Sequence, residues 1–377
     1  MKKVLITLFI CLFAVVSSGA ILAGTGSIKI GLSAPITGNY AEFGENFRFA
    51  VQMAADKINA AGGIKGKKLE IVSNDSKGDP RESALIAQKF VQDKSILAEI
   101  GDFTSTSCLA AAPIYERNEM VQLSPTASHP DFAKSGKYMF GIVGTQDAEG
   151  PFNAKYLAQE YMGIKSVGII YINNDWGVVT RDTFAKAARK IGLKVTLEQP
   201  FFEAEKDYNA VLTKIRESNP EGIYIAAMYN EASLIARQIR KMGWDVKLFA
   251  PSSVFSDNLL KLGGDAVEGL VTNTFFALSD PDPDVQAFIK EFQKRAGRNP
   301  NLHAACAYDS TMILAEAIRK GGFNRKNIQK ALAKTKDFQG ITGSITFTAD
   351  GDVIRNYKVM IVENGQWVVK KDYTRTK

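Results

Sequence analysis

The chain has 377 residues, with 47 Lys and Arg against 40 Asp and Glu, and a formal net charge of +7. This length predicts two domains rather than one, and the interspersed charges argue against a nucleic-acid partner. His129 and His303 are the only histidines, which leaves little material for a metal cluster or for acid–base catalysis.

The amino terminus has the three parts of a secretory signal peptide. Two lysines precede an apolar run at 4–16 that is short for a membrane span, and a patch of small residues follows. We predict that residues 1–23 are removed by cleavage near Ala20 or Ala23, and that the remainder is periplasmic. Its net charge then falls to about +5.

The three cysteines do not form a metal-binding pattern. Cys11 lies within the predicted signal peptide and would be lost with it. Cys108 and Cys306 remain, and both lie in apolar, helical settings. Export permits a disulfide between them, and two buried free thiols are equally compatible with the sequence.

In chain order, the first half alternates short apolar runs with amphipathic stretches. Short, largely apolar runs predict buried strands, and apolar residues three and four apart predict helices with one buried face. This alternation with short loops is typical of a doubly wound parallel sheet. The predicted strands are 27–34, 68–72, 96–100, 120–123 and 137–143, with helices at 47–58, at 81–92 and from Ser105 onward.

A second α/β series follows, and further helices and strands end the chain. Its predicted strands are 166–172, 194–199, 222–227, 246–250 and 269–274, with helices at 148–162, 178–191, 207–218 and 231–242. The last part contains a helix after Pro283, two more at 308–320 and 327–334, and strands at 345–347, 357–362 and 366–370.

Two hydroxyl-rich loops follow neighbouring predicted strands. Ser105, Thr106 and Ser107 stand where a helix begins, and the loop 124–128 contains two serines and a threonine. Loops at the carboxyl edge of a parallel sheet often bind ligands, and a helix amino terminus favours an anion. Arg117 is the only basic residue between 104 and 128, so the pattern indicates a small carboxylate held by hydrogen bonds. The alternative is that these hydroxyls only cap helices and fill turns.

Several ordered markers then indicate a family. The run at 58–72, INAAGGIKGKKLEIV, resembles a signature of the extracytoplasmic solute-binding proteins of branched-chain amino acid ABC transporters, the leucine/isoleucine/valine-binding type. Asp79-Pro80, Gly101, the loop 124–128 and the segment 171–177 follow in the order of that family. The resemblance covers nearly all of the chain after the signal peptide.

The resemblance implies a type I periplasmic-binding-protein fold, in which two doubly wound parallel-sheet lobes are joined by a three-segment hinge. The expected crossings lie near Thr145, Phe275 and Lys358. Lobe 1 is then 27–145 plus 276–357, and lobe 2 is 146–275 plus 358–377. The implied partners are a small ligand between the lobes and the membrane permease subunits of an ABC transporter, with no cofactor and no metal.

The resemblance also implies a ligand site. Ser105 and the loop residues Thr126, Ala127 and Ser128 match positions that hold the ligand α-carboxylate. Two aromatic residues match positions that contact the ligand body, although ordinary core packing explains each equally well. These are Phe43 in the first lobe and Trp176 in the second, and the neighbouring candidates are Phe103, Met228 and Tyr229.

Ser252 departs from the family pattern. Members that bind α-amino acids place a carboxylate at this position to pair with the ligand ammonium group, which is costly to bury without a partner. Glu231 or Asp175 could replace that acid, or each could be a capping residue at a helix start. The ligand is therefore a branched-chain or aliphatic amino acid, or alternatively an amine-free or aromatic carboxylate or an amide.

The sequence gives little support for other functional classes. No Gly-x-Gly-x-x-Gly follows a strand, and no Gly-x-Ser-x-Gly motif or histidine cluster offers a nucleophile or metal site. We therefore expect that the protein is not an enzyme. A ligand-sensing domain with the same fold is the remaining alternative.

Overall fold

The computed structural model describes residues 26–374, and the statements below concern that part of the chain. The predicted signal peptide, including Cys11, lies outside the described residues. Among the described helices, none combines the length and the apolar character that a membrane span requires.

The first part of the chain forms a five-stranded parallel sheet with helices on its faces. β3 is buried at all five positions, as expected for an apolar run in a sheet that is covered on both sides. The elements are β1 (Ser27–Ala34), α1 (Ala41–Ala60), β2 (Lys68–Asp75), α2 (Pro80–Gln92), β3 (Ile96–Ile100), α3 (Ser105–Arg117), β4 (Val121–Ser124), α4 (Asp131–Lys134) and β5 (Met139–Gly141). The strand order is β2-β1-β3-β4-β5.

The next part repeats the strand–helix alternation. A π-helical segment, Asn153–Tyr161, continues its first helix. The elements are α5 (Gln146–Phe152), β6 (Ser166–Ile172), α6 (Asp175–Lys190), β7 (Lys194–Phe201), α7 (Asn209–Glu217), β8 (Gly222–Ala226), α8 (Tyr229–Lys241), β9 (Lys247–Phe249), α9 (Asp257–Gly263) and β10 (Val271–Thr274), with 3₁₀ turns at Ser252–Val254 and Gly264–Val267.

The last part is shared between the two halves of the molecule. Its helices pack against α1 and the first sheet, whereas its last two strands join the second sheet beside β10 in antiparallel pairing. The elements are α10 (Pro283–Ala296), α11 (Leu302–Gly321), α12 (Arg325–Leu332), β11 (Phe338–Gly340), β12 (Gly343–Ile345), β13 (Lys358–Glu363) and β14 (Gln366–Asp372). The second sheet has the order β14-β13-β10-β9-β8-β6-β7, and β11 and β12 form a separate hairpin.

We call the first sheet with its helices the first lobe, and the second sheet with its helices the second lobe. The chain passes between the lobes from β5 to α5, from β10 to α10 and from β12 to β13. Arg355, in the last connection, contacts the other two: it donates to the carbonyl oxygen of Ile142 at 2.9 Å, and its guanidinium lies 4.4 Å from the ring centre of Phe275. The predicted α/β class with two parallel-sheet lobes is confirmed.

The structure differs from the sequence-based predictions mainly at element ends. α1 begins six residues before the predicted buried stripe at Phe47, and the short helix α9 was not predicted. The predicted strand 345–347 is wrong in its position, since β12 ends at Ile345 and Phe347 forms only an isolated bridge with Val353. Cys108 and Cys306 are both buried free thiols.

Candidate ligand-binding site

A cavity of about 40 Å³ lies between the lobes, where the carboxyl ends of strands from both sheets meet. This small volume reflects lobes that contact each other across the cleft. Apolar groups from both lobes line it, including Tyr40 and Val143 of the first lobe and Met228 of the second. Seven of the ten predicted site residues also line it: Phe103, Ser105, Thr126, Ser128, Trp176, Met228 and Ser252.

The amino terminus of α3 provides hydrogen-bond donors to this cavity. Thr104 caps the helix by accepting from the N–H of Ser107 at 3.1 Å. Within the described chain, the N–H groups of Ser105 and Thr106 have no acceptor, as expected for the first turn of a helix. The Thr106 hydroxyl also lines the cavity and is buried without a partner. Together with the helix dipole, these donors favour an anionic group.

Ser128 adds a donor from the opposite loop. Its Oγ accepts hydrogen bonds from Gln146 Nε2 at 3.0 Å and from Trp176 Nε1 at 3.1 Å. Its own hydroxyl hydrogen therefore remains available to an acceptor in the cavity. Because Trp176 belongs to the second lobe, this bond also joins the two lobes across the cleft.

The other two loop residues contribute less than the sequence suggested. The N–H groups of Thr126 and Ala127 both donate to Ser124 Oγ, at 3.2 and 2.8 Å. The Thr126 hydroxyl donates to the carbonyl oxygen of Phe103 at 2.7 Å. These donors stabilise the loop itself, and Ala127 does not line the cavity.

Phe43 and Tyr229 also lie away from the cavity. Phe43 is fully buried and stacks on Phe103, with 4.2 Å between ring centres, so it supports a lining residue from behind. Tyr229 contacts Phe43 as well, with 5.3 Å between ring centres. Burial and the Glu42 carboxylate raise the pKa of the Tyr229 hydroxyl.

Sequence reasoning missed several lining residues, of which Gln146, Glu149 and His303 are the most informative. Gln146 and Glu149 belong to the first connection between the lobes. A connection that crosses a cleft must pass the ligand, and this signal was present in the sequence. His303 was noted only as a scarce histidine; burial lowers its pKa to about 4, so the ring is neutral at physiological pH.

The two acids proposed to replace a carboxylate at Ser252 do not line the cavity. Asp175 is exposed at the start of α6. Glu231 is buried in the first turn of α8, where burial raises the pKa of its carboxyl group. Both lie in the first turn of a helix, which agrees with the capping alternative instead.

A second cavity, of about 720 Å³, lies beside the connections between α10, α11 and the β11–β12 hairpin. Its charged groups are largely engaged within the protein. For example, Lys358 Nζ lies 2.7 Å from Asp372 and 3.8 Å from Asp280. The smaller cavity, which holds donors without partners, is therefore the candidate site. No cluster of His, Cys, Asp and Glu suited to a metal ion occurs within residues 26–374.

Comparison with known proteins decides the family. A family model described as periplasmic binding protein matches residues 27–366. The chain belongs to the periplasmic binding protein family. Its members work outside the cytoplasm and bind solutes, which agrees with a cavity that presents hydrogen-bond donors to a ligand. The resemblance to the leucine/isoleucine/valine-binding type is confirmed.

Individual members of the family are similar along almost their whole length. The leucine-, isoleucine-, valine-, threonine- and alanine-binding protein of Pseudomonas aeruginosa is 28% identical over 352 residues, which cover 93% of this chain and 92% of the relative. Two solved structures show the same fold, each with a TM-score of 0.85. A leucine-binding protein of Thermotoga maritima is 29% identical, with 91% of this chain and 97% of the other covered. A branched-chain amino acid transporter substrate-binding protein of Streptococcus pneumoniae, in complex with isoleucine, is 28% identical, with 92% and 99% covered.

Proposed function

We propose that this periplasmic binding protein captures a branched-chain or aliphatic amino acid between its lobes and delivers it to the permease subunits of an ABC transporter. The observation that carries this proposal is the set of unpartnered donors at the start of α3 and at Ser128, which suits the ligand carboxylate. The apolar groups around it, including Met228 and Val143, suit an aliphatic side chain. The similarity to proteins that bind leucine, isoleucine and valine supports the same ligand class.

We also propose lobe boundaries and a leader. Lobe 1 comprises 27–145 and 276–357, and lobe 2 comprises 146–275 and 358–377. The membership of the two sheets supports this division. Residues 1–23 are the proposed signal peptide, and its removal leaves the protein in the periplasm.

A second candidate ligand is an amine-free or aromatic carboxylate, or an amide. Ser252 favours it, because a serine at this lining position offers no charge to an ammonium group. The transport role is the same in both cases, and only the ligand differs. Ligand binding to the folded protein raises its melting temperature, so a thermal-shift screen of amino acids, amides and aromatic acids distinguishes the candidates.

Binding without turnover is the first testable consequence. Because the cavity holds no nucleophile with an adjacent base, we expect the bound compound to be recovered unchanged after long incubation. Mass spectrometry of the released ligand checks this. Any catalytic or stoichiometric conversion would contradict a pure binding role.

The second consequence concerns the carboxylate anchor. Ser105 Oγ accepts from the N–H of His129 at 3.3 Å, so its hydroxyl hydrogen, like that of Ser128, is available to the ligand carboxylate. Ser105→Ala combined with Ser128→Ala removes both hydroxyl donors, and we expect ligand binding to weaken by about 3 kcal/mol, roughly 100-fold in Kd. Isothermal titration measures the change. Ser107→Ala is a matched control, since that hydroxyl lies in the same helical turn but donates to the Gly78 carbonyl oxygen instead. Equal affinity of the double variant and the control would remove these loops from the site.

A further inference from the structure

Glu149 is a carboxylate at the cavity that the family pattern does not account for. It lines the cavity at the start of α5 and is 5% exposed. Three hydrogen bonds fix its position: Oε1 accepts from Ser252 N at 2.7 Å and from Asn273 Nδ2 at 2.9 Å, and Oε2 accepts from Gln146 Nε2 at 3.0 Å. The side chain is therefore held in one orientation.

All three donors to Glu149 are neutral groups. None of the ion pairs in residues 26–374 involves this carboxylate, although it is almost completely buried. A buried charge without a counter-charge is costly. A cation bound in the cavity would therefore stabilise this carboxylate. Each carboxylate oxygen can accept about two hydrogen bonds, and Oε2 accepts only one. An ammonium group in the cavity could supply both the second bond and the missing charge.

The distance between the carboxylate anchor at Ser128 and the acid Glu149 matches one ligand class. Gln146 Nε2 donates to both Ser128 Oγ and Glu149 Oε2, at 3.0 Å each. The carboxylate anchor and the acid are therefore no farther apart than the sum of these two bonds. An α-amino acid carries its ammonium and carboxylate groups on the same carbon atom, so it can reach both subsites at once.

We infer that Glu149 binds the ligand ammonium group in place of the acid that is absent at Ser252, and that the ligand is an α-amino acid. This inference rests on the proposed function and selects between its two candidate ligands. It also explains why position 252 carries a serine and not an acid. The N–H of Ser252 donates to Glu149, and a carboxylate side chain at this position would stand beside an existing one, where like charges repel.

The same geometry disfavours amine-free acids. Such a ligand would bring its own carboxylate into a cavity that already holds the Glu149 charge, and it would leave that charge without a partner. Specificity then arises from repulsion of the wrong ligand as well as attraction of the right one.

The test compares two ligands and three proteins, all purified from the periplasmic fraction of cells that express the full chain. L-leucine and 4-methylpentanoate, which is leucine without the amine, are titrated into the wild type, Glu149→Gln and Glu231→Gln. We expect the wild type to prefer leucine by about 100-fold. Glu149→Gln should lose about 30-fold or more for leucine and gain or keep affinity for 4-methylpentanoate, since a charged hydrogen bond contributes on this scale. Glu231→Gln controls for removal of a buried charge outside the cavity and should match the wild type.

The outcomes separate the inference from the proposed function. Leucine binding that is unchanged in Glu149→Gln, with the Ser105/Ser128 double variant still impaired, would overturn the inference and leave the transport proposal standing. A wild type that prefers 4-methylpentanoate would overturn it without any variant, so the test does not depend on how well Glu149→Gln folds. If the wild type binds no small carboxylate of either kind, the proposed function fails, and the inference fails with it.

Discussion

At the scale of single residues, the cavity combines charged subsites with a neutral histidine. His303 contacts two phenylalanines edge-on, with ring centres 5.0 Å from Phe43 and 5.7 Å from Phe103. Its Nδ1 is buried without a partner in the described chain. Burial favours the uncharged ring, so His303 contributes an aromatic wall rather than a charge.

This burial predicts a dependence of stability on pH. In the unfolded chain His303 gains its proton near the ordinary pKa of about 6.5, whereas in the folded protein the pKa is about 4. Unfolding therefore takes up a proton between these values, and stability falls as the pH decreases through that range. Between pH 7 and pH 5 the loss is about 2 kcal/mol.

Urea unfolding of the wild type and His303→Phe at both pH values measures this effect. Phenylalanine keeps the ring contacts and cannot be protonated, so the loss of unfolding free energy on acidification should be smaller in the variant by about 2 kcal/mol. The comparison cancels the other titrating groups. Equal losses in both proteins would show that His303 is accessible to protons in the folded state.

At the scale of elements, the start of α6 positions Trp176 over the cavity. Asn174 caps the helix by accepting from the N–H of Gly177 at 2.9 Å. Gly177 allows the helix to approach β6, because a Cβ atom there would lie 1.9 Å from the carbonyl oxygen of Ile172. The cap and the close approach together hold the indole where its N–H reaches Ser128.

The cap gives a prediction about stability. Asn174→Ala removes the acceptor, and we expect it to lower the free energy of unfolding by about 1 kcal/mol, whereas Asn174→Ser keeps a capping oxygen and should lie within a few tenths of the wild type. Chemical denaturation measures both variants. If alanine and serine were equally tolerated, the cap would not stabilise this helix.

The elements also show where sequence reasoning succeeds. β3 and β6 have the predicted bounds because continuous apolar runs between polar loops leave little choice of register or length. The first turn of α3 was found from its hydroxyl residues. Glu149 and Gln146 were missed, although the predicted crossing near Thr145 pointed to this segment, because a polar residue near a helix start has an adequate local explanation. The packing of the two lobes shows which side chains of the segment face the cavity. The supporting role of Phe43 was likewise invisible, since an aromatic residue on a buried helix face looks the same whether it lines a cavity or stacks behind a lining residue.

At the scale of the whole molecule, the two lobes contact each other away from the ligand cavity as well. Glu42 of α1 accepts from Ser256 Oγ at 2.9 Å and from Asn258 Nδ2 at 2.7 Å, both in the second lobe. Asn230 Nδ2 donates to the carbonyl oxygen of Asn39 at 3.0 Å. These bonds stabilise the contact between the two lobes.

Removing the Glu42 contact between the lobes should therefore open the free protein. In Glu42→Ala the bonds to Ser256 and Asn258 are lost, so we expect a larger radius of gyration without ligand and a leucine affinity that is several-fold weaker, because less of the protein is in the binding-competent state. Small-angle scattering measures the first effect. Glu45→Ala is the matched control, since Glu45 pairs with Arg48 within α1. Identical scattering from both variants would show that Glu42 does not hold the lobes together.

A crystal structure of the protein with L-leucine tests the binding geometry most directly. We predict that the ligand carboxylate accepts from the N–H groups of Ser105 and Thr106 and from the hydroxyls of Ser105 and Ser128, while the ammonium group lies within hydrogen-bond distance of Glu149 Oε2. Leucine bound with the opposite orientation, or in the larger cavity beside the interlobe connections, would contradict the site proposed for this protein.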